Sequence, residues 1–267
     1  MLPNEQFPPT ISLGRKSTAI LLVLIIISSG CLSDENTVES NQESPGDSIP
    51  DANLEPEQEN KENEEEELIS IPGNGNCDDT NTDHCMLPFP SGAFLREDSS
   101  EVTGYSLNID GEAIPDTSSA ESGNMVILDR LDGFSPSTQI FTSFESTPDI
   151  AGMATQFNIS PSVEVGHSSI LLNMDTGEKI HHWIELDSRT QEGEPTILFL
   201  RTIEGLDHNS AYAVAFRSLV NGDGAPILPS DGFRALRDSI NTSSEGIEEQ
   251  RSDYEALFSQ LEGSGFS

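Results

Sequence analysis

Short apolar runs, each long enough for a β-strand, recur through the middle of this 267-residue chain. Turn-forming residues separate the runs, and helical periodicity does not interrupt them until the C-terminal end. The Asp-Thr-Gly-Glu segment at 175–178 predicts a hairpin turn, and the two glycines at 221–224 predict another turn. Many short strands at even spacing favour antiparallel sheets packed face to face, which is a mainly β sandwich. The predicted strands span 125–128, 139–142, 169–173, 180–186, 196–201 and 212–219.

Tyr212 begins one predicted strand, six residues after Leu206, and Val214 and Phe216 follow it in alternation. This spacing is similar to the tyrosine corner of immunoglobulin-like sandwiches, in which a buried phenol binds the backbone near the start of a strand. We therefore expect Tyr212 to have a packing role. Trp183, the single tryptophan, is expected in the core of the same sandwich.

The end of the chain changes to a helical pattern. Apolar and aromatic residues recur at helical spacing and predict an amphipathic helix over 245–262. Thr242 and Glu245 have the spacing of a capping box, and Gly263 predicts the end of the helix. The apolar stripe of this helix needs a partner surface. We expect that surface to be the β-sandwich, or else a separate α/β-hydrolase domain or a surface protein.

The N-terminus resembles an export signal. Arg15 and Lys16 precede an apolar run at 19–27, which would rise about 14 Å as a helix, roughly half the core of a bilayer. This length is typical of the apolar part of a signal peptide rather than of a membrane span. The residues that follow, Ser29-Gly30-Cys31, resemble a lipobox and predict cleavage before Cys31 and a lipid on its thiol. The alternative is a secretory segment with an incidental cysteine.

Acidic residues dominate the stretch at 32–67, which holds 14 of them and one basic residue, Lys61. Because such a segment cannot bury enough apolar surface to offset chain entropy, we expect an extended, disordered linker. Residues 68–267 hold 32 acidic and 9 basic side chains, which is −23 of the total charge of −35. Nucleic acid and anionic lipid headgroups are therefore poor partners. We interpret the charge as adaptation to a saline medium, with divalent cation binding as the alternative.

Cys77 and Cys85 are the only cysteines after Cys31, and they flank a polar loop. In an exported protein such a pair predicts a local disulfide bond, which contributes about 2–3 kcal/mol of stability in the chain-entropy model. The loop also resembles the start of a calcium loop, although it lacks the required glycine and distal glutamate. The weak calcium candidates are Asp79, Asn81 and Asp83. A zinc site formed by the two cysteines and His84 is a weaker hypothesis still.

Candidate catalytic groups are incomplete. The Gly-His-Ser-Ser-Ile segment at 166–170 resembles a nucleophile elbow around Ser168, but Ile170 stands where the motif requires glycine and a strand pattern follows. His181 and His182 alternate along a predicted strand, so their rings should face opposite sides and should not share a metal. We therefore predict no catalytic residue, no metal and no cofactor.

Two triplets fit the acceptor pattern for N-glycosylation, and they begin at Asn158 and Asn241. Carbohydrate at these positions would suit an exported surface protein. Both are candidate modification sites, and such triplets also occur by chance.

The folded part resembles a known family. The CMLPFPS segment at 85–91 resembles the "LPFPND" opening of N-terminal domains in large secreted bacterial lipases, and it departs from that pattern at Ser91-Gly92. The LDGFSP segment at 131–136 and the hairpin at 173–187 resemble two later landmarks of that family, "LDGFS" and "DxDTGERVPHWAELD". The resemblance extends over about 77–260. It implies an immunoglobulin-like lead domain that normally precedes a catalytic domain, and it carries no hydrolase activity onto this chain.

These observations predict an exported, lipid-anchored protein on the extracytoplasmic face of a membrane, where it acts as a non-catalytic binding or scaffolding module. The alternative is a truncated or split N-terminal component of a secreted lipase or esterase. A calcium-binding adhesion role is a third hypothesis. The predicted organisation is a signal peptide over 1–30, a lipid-anchored acidic linker over 31–76, a β-sandwich domain over 77–240, and a C-terminal helix and tail over 241–267.

Overall fold

The structure is a computed structural model that describes residues 68–71, 77–81, 84–109, 131–191 and 193–267, together with the backbone of Leu21–Val23. The predicted strand at 125–128, the lipid-site candidate Cys31 and the calcium candidate Asp83 lie outside the described residues. Most of the predicted signal peptide and acidic linker lies outside them as well. In the part that is described, no helix is long and apolar enough to cross a membrane.

The described chain is mostly strands in small sheets, with a long helix near its C-terminal end. The elements are β1 Leu21–Val23, β2 Leu68–Ile69, β3 Leu95–Glu97, β4 Tyr105–Leu107, β5 Ile140–Phe144, β6 Ser169–Asn173, β7 His182–Leu186, β8 Thr196–Thr202, β9 Tyr212–Phe216, α1 Asp231–Arg237, β10 Asn241–Thr242 and α2 Glu245–Gly263. Strands β5, β8 and β7 form an antiparallel sheet in the order β5-β8-β7, and a second sheet has the order β1-β9-β6. Strands β3 and β4 form an antiparallel hairpin, and β2 pairs in parallel with β10.

Strands β6 and β9 form the middle layer of the molecule, and both of their faces are buried. One face, which includes Leu171 and Val214, packs against the β5-β8-β7 sheet. The other face, which includes Ile170 and Ala213, packs against α1 and α2. All five residues of each strand are buried for this reason. Apolar residues on both faces of a strand are typical of a layer that is covered on both sides.

The C-terminal helix α2 docks on the chain's own β-sheet. The residues that form its buried face recur at helical spacing and share a cluster with α1 and the middle strands. Arg251 fastens the two helices together, because its guanidinium donates to the carbonyl oxygens of Ala235 and Ile240 at 3.2 and 2.9 Å. The buried α2 residues are Ile247, Tyr254, Leu257 and Leu261.

The caps of α2 differ from the prediction. Ser244, not Thr242, is the N-cap, and its hydroxyl accepts a hydrogen bond from the backbone N–H of Ile247. The predicted pair of Thr242 with Glu245 is therefore wrong; Thr242 instead donates to Glu248 from its backbone and its hydroxyl. Gly263 is the last helical residue, as the sequence indicates. The positive φ of 81° that follows the helix belongs to Gly265.

The turn at 175–178 forms where it is predicted, with Gly177 at a φ of 74°. The chain that follows it does not continue as a long hairpin. Only a single bridge, between Leu172 and Lys179, joins it to β6. The chain then crosses to the other sheet, so β7 begins at His182 rather than at residue 180 and pairs with β8. The glycine turn at 221–224 forms as predicted.

The contact expected of Tyr212 is confirmed. Its side chain is buried, and its phenolic oxygen accepts hydrogen bonds from the backbone N–H of Asp207 at 2.8 Å and from Asn173 Nδ2 at 3.3 Å. The expectation for Trp183 is wrong. This residue lies on the partly exposed face of β7, where its indole N–H donates to Glu185, because the alternation of the strand turns His182 and Ile184 inward.

The backbone of β1 runs parallel to β9, with Leu21 opposite Tyr212 and Val23 opposite Val214. These three residues lie within the segment 19–27, which the sequence predicts to be the apolar part of a signal peptide.

Candidate ligand groove

The two cysteines that follow residue 76 form the predicted disulfide bond. Cys77 and Cys85 are joined, and their Cα atoms are 4.5 Å apart. Since both sulfurs are used in this bond, the zinc site with His84 is not available. Within the described residues, no group of three or more potential ligands is placed to hold a metal ion.

The disulfide loop is fastened by a buried carboxylate, Asp78. Its Oδ1 accepts hydrogen bonds from the backbone N–H and the hydroxyl of Thr80, at 2.9 and 2.5 Å, and its Oδ2 accepts one from Ser91 at 2.5 Å. Burial raises the pKa of the Asp78 carboxyl, while these hydrogen bonds act in the opposite direction. Ser91 precedes the 3₁₀ turn Gly92–Phe94, so Asp78 ties the loop to the start of β3.

The neighbouring residue, Asp79, lies against the beginning of α2. The hydroxyl of Ser244 donates to Asp79 Oδ2 at 2.6 Å, and a carboxylate at this end of a helix is favoured by the helix dipole. Gly246 makes the approach possible, because a Cβ at that position would lie 2.5 Å from Asp79 Oδ2. The calcium candidate Asp79 is thus held by α2. Its other oxygen, Oδ1, is buried and has no hydrogen-bond partner.

Beside this contact, a groove of about 700 Å³ runs between α2 and the β3–β4 hairpin. One wall is the face of α2 that carries Gly246, Glu249, Asp253, Ala256 and Gln260, which recur at helical spacing. The opposite wall presents residues of the hairpin that point to the same side. They are Leu95, Glu97 and Tyr105.

The groove has an apolar base and an acidic rim. Met174 and Leu257 lie among the apolar lining residues, and Cys77 of the disulfide loop lines the groove as well. Among the described lining residues, four are carboxylates and none is a lysine or an arginine. A volume of this size is typical of a small-molecule or peptide site. The four carboxylates are those of Asp79, Glu97, Glu249 and Asp253.

A serine–histidine pair does occur in the structure, but it is buried and it involves Ser169 rather than Ser168. Ser169 Oγ lies 2.8 Å from His182 Nε2, and His182 Nδ1 lies 2.8 Å from the carbonyl oxygen of Ile180. Ser169 and His182 are 1% and 0% exposed, so a substrate carbonyl has no path to the hydroxyl. Gly166 precedes a strand instead of a helix, which rules out a nucleophile elbow.

His167 extends this pair into a chain of hydrogen bonds. The backbone N–H of Ala154 donates to His167 Nε2 at 3.0 Å, and His167 Nδ1 lies 3.2 Å from Ser169 Oγ. The buried groups are thereby hydrogen-bonded, as buried polar groups must be for the fold to be stable. Burial lowers the pKa of His182 to about 4, so its ring is neutral at pH 7. The arrangement is that of a structural network.

The remaining candidates have the following positions. His182 is buried and His181 is exposed, so the predicted opposite orientation of the two rings is confirmed. The glycosylation candidates Asn158 and Asn241 are both exposed, which is compatible with modification. Asn81 lies in the disulfide loop, where its backbone N–H donates to the carbonyl oxygen of Asp78.

The groove was not predicted from the sequence. One signal was present, because Glu249 and Asp253 are four residues apart on the polar side of a predicted helix. The other wall gave no usable signal, because β3 and β4 are three residues long and too short for a clear alternation. Their meeting with α2 depends on tertiary packing.

Comparison with protein-family models, with curated proteins and with solved structures finds no match to this chain. The resemblance to lead domains of secreted lipases therefore remains a prediction from the sequence.

Proposed function

We propose that this protein is a non-catalytic binding module, held on the outer face of a membrane by a lipid on Cys31, and that the groove between α2 and the β3–β4 hairpin is its ligand site. The observation that carries the proposal is the groove, whose described lining combines apolar residues with four carboxylates and includes no basic side chain. Sites of this kind combine apolar surface with a few polar groups that give specificity.

The absence of a catalytic role is supported by the burial of the serine–histidine pair. Ser169 and His182 lie in the interior, where their hydrogen bonds hold β6 and β7 together. A hydrolase would need its nucleophile to be open to the substrate and to have a third group that orients the histidine. Here the third group is the backbone carbonyl of Ile180, which supplies orientation but no charge.

We also propose that the two facing sheets form an immunoglobulin-like sandwich. The packing of the middle strands on the β5-β8-β7 sheet and the tyrosine corner at Tyr212 support this assignment. An acidic linker would then hold the sandwich at a distance from the membrane surface.

The full-length chain tests this proposal, with Cys31→Ala as its matched variant. We expect the wild-type protein to fractionate with membranes and to carry the added mass of a lipid, and the variant to do neither. We expect neither protein to hydrolyse nitrophenyl esters of short or long acyl chains above the rate in buffer. Turnover that Ser169→Ala abolishes, without a change in the melting temperature, would contradict the non-catalytic role.

A further inference from the structure

Resting on the proposed function, we infer that the groove takes an extended, positively charged peptide segment of another protein, about six residues long. The length follows from the α2 wall. Gly246 and Gln260 are fourteen residues apart, so this wall is about 21 Å long at 1.5 Å per residue. An extended peptide rises about 3.3 Å per residue, and six residues therefore fit along it.

The positive charge proposed for the ligand follows from which acidic residues of α2 are ion-paired and which line the groove. Glu248, which is not among the groove residues, is paired with Arg251 at 2.7 Å. Its neighbour Glu249 and the next acidic residue, Asp253, face the groove, and no salt bridge between described residues includes either of them. Like charges along one wall repel each other, and a cationic ligand would relieve that repulsion.

A third carboxylate, Glu97, faces these two from the hairpin and is likewise outside the salt bridges of the described residues. Asp79 is the fourth carboxylate that lines the groove. Hydrogen bonds between a carboxylate and a cationic donor are stronger than those between neutral groups, so a cationic ligand suits this lining. Lysine and arginine side chains are donors of the matching charge.

The base of the groove suits the hydrocarbon part of the same side chains. Leu95 and Tyr105 line the hairpin wall, and Met174 is a further lining residue. Lysine and arginine pack their methylene stems on apolar surface while the charged group reaches toward a polar rim, and an aromatic face attracts a cation. A methionine adapts to ligands of different shape.

The chain's own linker is a poor occupant. The stretch at 32–67 carries 14 acidic residues and one lysine, so the acidic rim repels it. A single metal ion does not match the groove either, because the site is much longer than one coordination sphere. These arguments favour a basic peptide from a partner.

The experiment uses the full-length protein and a fluorescein-labelled hexapeptide of alternating arginine and leucine, with fluorescence anisotropy as the readout. The test variant is the double substitution Glu249→Gln and Asp253→Asn. Its matched control is Glu255→Gln with Glu262→Gln, which removes the same charge from exposed α2 positions outside the groove. We expect the test variant to bind the peptide at least tenfold more weakly, and the control to stay within twofold of the wild type.

A second variant, Ala256→Trp, fills the groove at an exposed position without changing the charge. We expect it to weaken binding at least tenfold while the melting temperature stays unchanged. Equal losses in the test and control variants would overturn the inference, because they would mean diffuse attraction to an acidic surface. No binding by the wild type would also overturn it. The protein could instead bind a serine–leucine or glutamate–leucine hexapeptide, with Ala256→Trp abolishing that binding. This result would contradict the inferred positive charge of the ligand, and it would still support a binding function for the groove.

Discussion

Ser244 and Asp79 lie 165 positions apart in the chain, and the hydroxyl of Ser244 donates a hydrogen bond of 2.6 Å to the Asp79 carboxylate. The same hydroxyl accepts from the N–H of Ile247 and so caps α2. One serine therefore joins the beginning of the long helix to the disulfide loop. Asp79 and Gly246 both line the groove, so its geometry depends on how closely Asp79 and α2 approach each other.

We predict that Gly246→Ala lowers the free energy of unfolding by about 1 kcal/mol. Overpacking costs about 1–3 kcal/mol, and the gain of about 1 kcal/mol in helix propensity offsets part of it. The cause is the distance of 2.5 Å between the new Cβ and Asp79 Oδ2. Urea unfolding of the full-length protein measures the change.

The same substitution in the Asp79→Ala background should stabilise the protein by about 0.5–1 kcal/mol, because the obstacle has been removed. Gly263→Ala is the matched control, since a Cβ at that helical position has nothing within 4 Å, and we expect it to be neutral or stabilising. Additive changes in unfolding free energy for Gly246→Ala and Asp79→Ala would contradict a steric conflict between a Cβ at position 246 and the Asp79 side chain.

We predict that the protein loses stability as the pH falls from about 6.5 toward 4, because of His182. Burial holds the folded-state pKa of His182 at about 4, below the ordinary histidine value of 6.5, so the unfolded chain binds the proton first. The contribution is fully present above pH 6.5, and about 3 kcal/mol of it is lost by pH 4.

The groups that surround the His182 ring are His167, Ser169 and the carbonyl oxygen of Ile180, and His181 also opposes its protonation. NMR titration of the His182 ring should give a midpoint near 4. Between pH 7 and 5, urea unfolding should show a loss of about 2 kcal/mol that is absent in His182→Gln. A ring that titrates near 6.5 in the folded protein would contradict the buried position of His182.

We predict that Cys77→Ala with Cys85→Ala lowers the free energy of unfolding by about 2–3 kcal/mol, because it opens a short closed loop in the unfolded chain. Chemical unfolding of the oxidised wild type and the double variant measures the difference. Cys31→Ala is the control, because Cys31 is outside this bond. The double variant of Cys77 and Cys85 should also bind the cationic hexapeptide more weakly, since Cys77 and Asp79 of the loop line the groove.

We predict that Tyr212→Phe lowers stability by about 1–2 kcal/mol. The substitution keeps the ring and removes the hydroxyl that accepts from the Asp207 N–H and from Asn173, which leaves a buried donor without a partner. Tyr105→Phe is the control at a partly exposed position, and we expect a change within about 0.5 kcal/mol. Equal urea midpoints for the wild type and Tyr212→Phe would show that the hydrogen bonds of the Tyr212 hydroxyl do not stabilise the fold.

Features that depend only on neighbouring residues could be predicted from the sequence. The turns at 175–178 and 221–224, most strand positions, the helix that follows residue 244 and the disulfide of Cys77 with Cys85 all follow from local spacing and turn chemistry. A turn or an amphipathic period is encoded within a few residues, so it is visible without the fold.

The sheet that each strand joins, and the face that each residue buries, depend on tertiary packing. This packing placed β6 and β7 in different sheets although a predicted hairpin turn lies between them, and it turned Trp183 outward. It also brought the hairpin at 95–107 against α2 to make the groove. These outcomes depend on packing and hydrogen bonds between residues far apart in the chain, and local periodicity does not record which distant surfaces will bury each other.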